Sequence, residues 1–208
     1  MHTKHGSHLV TFSRNTFVIS IISIFTLLIL SGCGGDDDKK MKMAKAEEDK
    51  SIVLSASGVG PINATTSFNM HQMTLAFSDY NVVEELNYHS GTPYPVIRIS
   101  DGVKTMLTII PDGSQKNIFS IIVEDNLITN SIGHRLGSNY SDVYTYGQNE
   151  ECQAGVDDMA GKVICYAPKT PNILYVFNGS SAGETGVVPA ADVLQGWGLE
   201  SIIWRPKL

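Results

Sequence analysis

The 208-residue sequence predicts an α+β fold of antiparallel sheets with few short helices. Three observations carry the prediction. Strand-like runs at Tyr80 to Tyr88, Tyr94 to Ile99, Val103 to Ile110 and Ile118 to Val123 are separated by Gly91-Thr92-Pro93, Ser100-Asp101-Gly102 and Pro111-Asp112-Gly113-Ser114, which are hairpin punctuation. One stretch ahead of them has helical spacing, with Met70, Met73 and Phe77 on one face and Thr66 or Ser67 as its cap. The same plan then recurs further along the chain, so the expectation includes two tandem helix-plus-meander units, 51–130 and 131–208.

In chain order, the first organising stretch is the apolar run Phe17 to Cys33, which ends Leu30-Ser31-Gly32-Cys33 in the form of a bacterial lipobox. Thr16 to Leu30 gives only 15 residues, the length of a signal h-region and short of the roughly 20 that span a bilayer. Lys4 and Arg14 precede it without an acid, as in an n-region. Residues 1–32 are therefore expected to be a lipoprotein signal peptide, and Cys33 the lipidated first residue of the mature chain, anchored in the bilayer by its acyl chains. His2, His5 and His8 fall in the discarded part and are no metal site.

Residues 33–50 hold charges of both signs and little to bury, the composition of a flexible tether. Asp36-Asp37-Asp38 and Glu47-Glu48-Asp49 lack the alternating ligands and the glycine of a calcium loop. Gly34 and Gly35, rather than an aspartate, follow the lipobox, which favours delivery to the outer membrane with the domain facing the periplasm.

Residues 51–208 are then one periplasmic α+β domain. Ser51 to Ser57 reads as its first strand and Gly58-Val59-Gly60-Pro61 as a turn. In the second half, Ile132 to Ser138 is rich in glycine and leads to a capped helix from Tyr140 to Tyr144. Lys162-Val163-Ile164-Cys165 and Asn172 to Phe177 echo Tyr94 to Ile97 and Thr105 to Ile110 about 67 residues on, whereas Ser201 to Trp204 echoes Ser120 to Val123 at 81. An insertion between Gly179 and Glu200 accounts for the difference.

Without Lys4 and Arg14, 13 basic residues face 21 acidic ones, a net −8 that argues against nucleic acid as a partner. Cys152 and Cys165 form an even pair in an oxidising compartment and read as a disulfide; a zinc site would need further ligands that are not nearby.

Cys165, Tyr175 to Gly179, Gly186-Val187-Val188-Pro189, Leu194, Trp197 and the closing Ile202-Ile203-Trp204-Arg205, with Gly58-Val59-Gly60, Cys152 and the lipobox, resemble the bacterial lipoprotein family regulated by the envelope-stress sigma factor RpoE. The resemblance implies a periplasmic α+β domain of unknown biochemical function on an outer-membrane anchor. The charged tether and the Pro206-Lys207-Leu208 tail depart from that family's pattern.

No catalytic, cofactor-binding or metal-binding residue is assigned. Gly179-Ser180-Ser181-Ala182-Gly183 matches a nucleophile elbow, but Val187-Val188-Pro189 follows where a helix is required and the last histidine, His134, precedes the serine. His71, His89 and His134 have no partner at metal spacing, and the acid pairs Glu84-Glu85, Glu124-Asp125, Glu150-Glu151 and Asp157-Asp158 are sequence neighbours, which point to opposite faces of a strand. Trp197 and Trp204 read as core, with an exposed interface anchor as the rival. The chain is expected to be a non-enzymatic lipoprotein that binds or supports an envelope component. An inhibitor of a periplasmic hydrolase is the alternative, and an enzyme would need a deep pocket around His134 or the paired acids.

Overall fold

Apolar side chains at alternate strand positions pack one face of an antiparallel sheet into the main core, and the central strands bury a smaller apolar cluster on the other face as well. The computed structural model describes residues 51–145, 151–180 and 186–207. Cys33, the expected signal peptide 1–32 and the rest of the expected tether 33–50 lie outside the described residues, as do Glu150 and residues 181–183 of the Gly179–Gly183 motif. No helix among the described residues is long and apolar enough to cross a membrane.

The chain opens with three short strands, β1 (Ile52–Ser55), β2 (Gly58–Val59) and β3 (Ile62–Asn63). Gly58-Val59 is thus not a plain turn: Leu54 pairs with Val59, and Val59 with Ile62. Gly58 is required there, since a Cβ would lie 1.9 Å from the Ile62 carbonyl oxygen. Helix α1 (Met70–Ala76) starts later than expected. Ser67 bridges to Asn117 and the Phe68 N–H donates to the Lys116 carbonyl, so these residues are held extended, and Asn69 Oδ1 caps the helix by accepting from the Gln72 N–H at 2.9 Å. Met73 and Phe77 are buried and Met70 packs beside them.

Four long strands follow: β4 (Asn81–His89), β5 (Thr92–Asp101), β6 (Lys104–Pro111) and β7 (Ile118–Val123). The β4–β5 turn is Ser90-Gly91 with φ of 49° and 79°, the two left-handed residues of a type I′ hairpin. A short strand unanticipated in the sequence, β8 (Ile128–Asn130), then pairs parallel with β1. It precedes the second helix. Helix α2 (Tyr140–Val143) is followed by β9 (Cys152–Ala154), a 3₁₀ turn at Asp157–Met159, β10 (Val163–Ala167) and β11 (Thr170–Asn178). Helix α3 (Ala191–Leu194) occupies the expected insertion, and β12 (Gly198–Trp204) ends the fold.

The large sheet has the order β4-β5-β6-β7-β12-β11-β10-β9, and the small one β3-β2-β1-β8. Read from either edge inward, the large sheet is one meander of four strands, and the two meanders meet where β7 and β12 pair antiparallel through Ile121 to Val123. The same strand order in both halves is what two helix-plus-meander units sharing one sheet produce.

One face of that sheet carries Ile97, Leu107, Ile109, Ile121, Ile202, Tyr175 and Phe177 into a single core closed by the small sheet and the helices. Trp204 and Trp197 both lie in it, so the core reading holds for each. Trp204 is fully buried and its Nε1–H donates to the Ala56 carbonyl at 3.3 Å. Buried Asn172 donates to the same carbonyl at 2.8 Å and to that of Arg205 at 3.0 Å, tying the β1–β2 turn to the large sheet. The outer face carries a smaller apolar cluster of Leu174, Val176 and Ile203.

Candidate functional site

Strand β8, the loop after it and strand β11 bring a hydrogen-bonded polar cluster together at the core. Tyr175 stands at the middle of β11, fully buried, with its hydroxyl 2.9 Å from Asn130 Nδ2 and 2.9 Å from His134 Nδ1. The Asn130 amide is oriented by its Oδ1, which accepts from the Ile132 N–H at 3.0 Å, so its Nδ2 faces the tyrosine as a donor. The tyrosine proton then goes to His134 Nδ1, and the imidazole carries its own proton on Nε2. A neutral chain results, Asn130 to Tyr175 to His134, and the imidazole edge also packs against the phenol ring at 5.5 Å. Burial pushes the His134 pKa below its ordinary value, and burial pushes that of Tyr175 up against the opposing hydrogen bond from Asn130.

Two grooves have described linings. One, of about 610 Å³, runs between β1 and the C-terminal end of α1, past Ser51, Ile52, Ser55, Pro61, Ser78 and Tyr80. The other, of about 190 Å³, is on the outer face of the sheet, floored by Ile164, Tyr166 and Leu174, walled by Val156 and Met159, and rimmed by Glu151 and Arg205. The Arg205 guanidinium lies 5.3 Å above the ring of Phe119, an exposed aromatic on the adjoining strand β7. Neither groove includes a histidine.

The remaining sequence candidates are scattered. His71 is exposed on α1, and His89, at the tip of the β4–β5 hairpin, has Nε2 4.0 Å from Asp157 Oδ2, so elements at opposite ends of the strand order approach one another. Glu84 and Glu85 take opposite faces of β4; Glu85 accepts from Arg98 at 2.7 Å, Arg98 donates to Thr108 at 3.2 Å, and Thr108 donates to Glu124 at 2.6 Å, which makes one polar row across the outer face. Asp125 is buried: burial raises its pKa, but the ion pair with Lys104 at 2.5 Å and the Leu127 N–H outweigh it and hold the carboxyl down. Asp112 organises the β6–β7 turn, where Asn117 and Ser114 side chains hold its carboxyl well below the usual range. Cys152 and Cys165 are opposite residues of β9 and β10 and form the disulfide. No group of three or more His, Cys, Asp or Glu among the described residues is placed to hold a metal.

The β8–β11 cluster was hidden in the sequence because Asn130 and Tyr175 are separated by 45 residues, and the motif that includes Tyr175 says nothing of Asn130. Only the placement of His134 among glycines hinted at a structured loop.

The fold and these surfaces define an α+β domain with one eight-stranded antiparallel sheet over a single core and a grooved, partly apolar outer face. Residues 47–206 match the family described as "Protein of unknown function (DUF1131)", and the chain belongs to that family. It is similar to the uncharacterized protein YfeY of Escherichia coli K12, 28% identical over 181 residues that cover 86% of this chain and 93% of that protein. The crystal structure of the uncharacterized YfeY from Escherichia coli superposes with a TM-score of 0.62 at 27% identity, covering 74% of this chain and 98% of the other.

Proposed function

We propose that the chain is a lipoprotein acylated at Cys33 and held at the outer membrane, whose periplasmic domain binds a protein component of the envelope and serves under envelope stress through RpoE control. The observation that carries the binding reading is the outer face of the large sheet. There an apolar groove (Met159, Ile164, Tyr166, Leu174) lies beside Arg205 and the exposed ring of Phe119. Aromatic and arginine side chains beside an apolar depression are the residue types that anchor protein partners. The lipobox and the charged spacer support the anchoring, and the acidic mature chain leaves attachment to the acyl groups.

The test is photo-crosslinking in living cells from Phe119, Tyr166 and Val156, followed by mass spectrometry, with labelled palmitate incorporation compared between the native chain and Cys33→Ala. One stoichiometric protein product, lost in Tyr166→Asp, supports the reading. Products confined to lipid or peptidoglycan sink it. A second reading, an inhibitor of a periplasmic hydrolase, rests on fold analogy alone: the equal strand order of the two halves looks like that of beta-lactamase-inhibitor-type repeat domains. The identity of the crosslinked partner separates the two.

A further inference from the structure

We propose that Val103 and Leu127, two exposed aliphatic side chains at the end of the domain where the chain enters it, dip into the lipid leaflet that holds the acyl anchor. The proposal rests on the reading of Cys33 as the acylated residue and is independent of the role given to the outer-face groove.

Topology gathers these residues. The described chain starts at Ser51, and β1 runs parallel to β8 with Ile52 opposite Ile128, so Ser51 and Leu127 stand side by side one position before that pair. The β7–β8 connection that carries Leu127 is tied to the start of β6: the Glu124 N–H donates to the Met106 carbonyl at 2.9 Å, and Lys104 pairs with Asp125. Val103 precedes that lysine in the two-residue β5–β6 turn, inside the closing pair Asp101–Lys104. Two loop tips therefore flank the point where the chain arrives from the anchor. Residues 34–50 can hold that point no farther than about 60 Å from an acylated Cys33.

Neither side chain is required by the fold. Val103 is fully exposed; Gly102, with φ of 58°, supplies the left-handed residue of the turn, and a small polar residue would serve beside it. Leu127 is 53% exposed and is fixed in place by Asp125, whose Oδ1 accepts from the Leu127 N–H at 2.8 Å and whose carbonyl accepts from the Ile128 N–H at 3.2 Å. The charges beside them are largely spent within the protein, since Lys104 neutralises buried Asp125 and Glu124 accepts from Thr108. Exposed Asp101 lies at the level where the ammonium of a phosphatidylethanolamine headgroup can meet it. The loops 101–104 and 124–127 contain no aromatic residue and no arginine. Protein hot spots favour Trp, Tyr and Arg over Leu and Val, whereas isolated aliphatic points suit a soft apolar phase.

Taking two such side chains out of water favours docking by roughly tenfold to a hundredfold. A tethered domain needs no more, because the anchor already keeps it near the surface. Docking by this end turns Phe119 and Arg205, at the opposite ends of β7 and β12, away from the membrane.

The test uses the full acylated chain in vesicles of phosphatidylethanolamine with a minor share of phosphatidylglycerol. An NBD fluorophore is attached at Val103→Cys or Leu127→Cys and, as far-end controls, at Tyr88→Cys or Lys116→Cys, all exposed positions. Emission from 103 and 127 is expected to move to the blue, rise several-fold and be quenched by lipids brominated in the acyl chains, while 88 and 116 keep their aqueous spectrum. Adding Leu127→Asp is expected to return the signal at 103 to the aqueous level with the melting temperature unchanged. A chain that floats with the vesicles but shows no shift at 103 and 127, or an equal shift at 88 and 116, overturns this proposal and leaves acylation at Cys33 standing. So does a photo-crosslinker at Val103 that captures a protein in cells in place of lipid. A native chain that carries no acyl group and does not float overturns the Cys33 reading and this proposal with it.

Discussion

Replacing Tyr175 with Phe removes one oxygen from the centre of the core and tests the reading of the cluster around it. Asn130 Nδ2, nearly fully buried, loses its acceptor, while half-buried His134 can turn to water. An orphaned buried donor costs about 1–3 kcal/mol, and about 2 kcal/mol corresponds to a fall in melting temperature of roughly 4–8 °C at this size. The histidine supplies an independent readout. Its folded pKa lies below the ordinary value of 6.5, so the unfolded chain takes up a proton that the folded chain resists. The associated stability is fully present above about pH 6.5 and is lost as pH falls through the folded-state value. In Tyr175→Phe the imidazole no longer accepts a hydrogen bond from the phenol and is freer to meet water, so its pKa moves up and the acid-side loss becomes shallower. Thermal denaturation at pH 7.5 and 5.5, with NMR titration of the His134 ring, measures both. If the variant is as stable as the native chain at pH 7.5 and His134 titrates unchanged, the assignment of donors and acceptors in the chain is wrong.

The other expectations concern the frame. Trp204→Ala should lower stability by about 3–5 kcal/mol, because the ring is fully buried and its Nε1–H bonds Ala56; calorimetry checks it, and a shift under 2 °C would remove Trp204 from the core. Opening the disulfide with Cys152→Ala should cost about 3 kcal/mol for a loop with a sequence separation of 13, seen as a lower urea midpoint that added reductant does not shift further. Gly58→Ala should cost about 2 kcal/mol, since its Cβ would strike the Ile62 carbonyl; hydrogen exchange should show the loss first in β1–β3, and unchanged protection there would mean the hairpin yields freely.

The meanders were legible because their periodicity and turn chemistry are local: Ile118–Val123 falls where its sequence places it, and Gly91 and Gly102 stand in the hairpin turns, although Thr92-Pro93 and Ser100-Asp101, read as punctuation, belong to β5, where pairing with β4 and β6 holds them extended. What was not legible depends on distant partners. Gly58-Val59 is a strand only because Leu54 and Ile62 flank it, and Ile128–Asn130 only because β1 lies alongside. Ser67 offers a hydroxyl as good as any cap, but its bridge to Asn117 claims the backbone first. The Asn130–Tyr175–His134 cluster escaped for the same reason, since its members meet only when β8 and β11 pack. Both tryptophans were readable as core, because each sits at or just before a terminal run of alternating apolar residues.

The position of β12 has a consequence for how the molecule is made. It is the last strand in the sequence but sits between β7 and β11 in the sheet. A chain still emerging from synthesis or export can form each meander's neighbouring hairpins, but the two halves stay unjoined until residues 198–204 arrive and pair with Ile121 to Val123, some 80 positions upstream. That closure carries the largest loop entropy of the sheet and is the natural rate-limiting step. Loss of the final ten residues by premature termination or trimming would therefore cut the sheet in two rather than shorten it, leaving two open edges for misassembly.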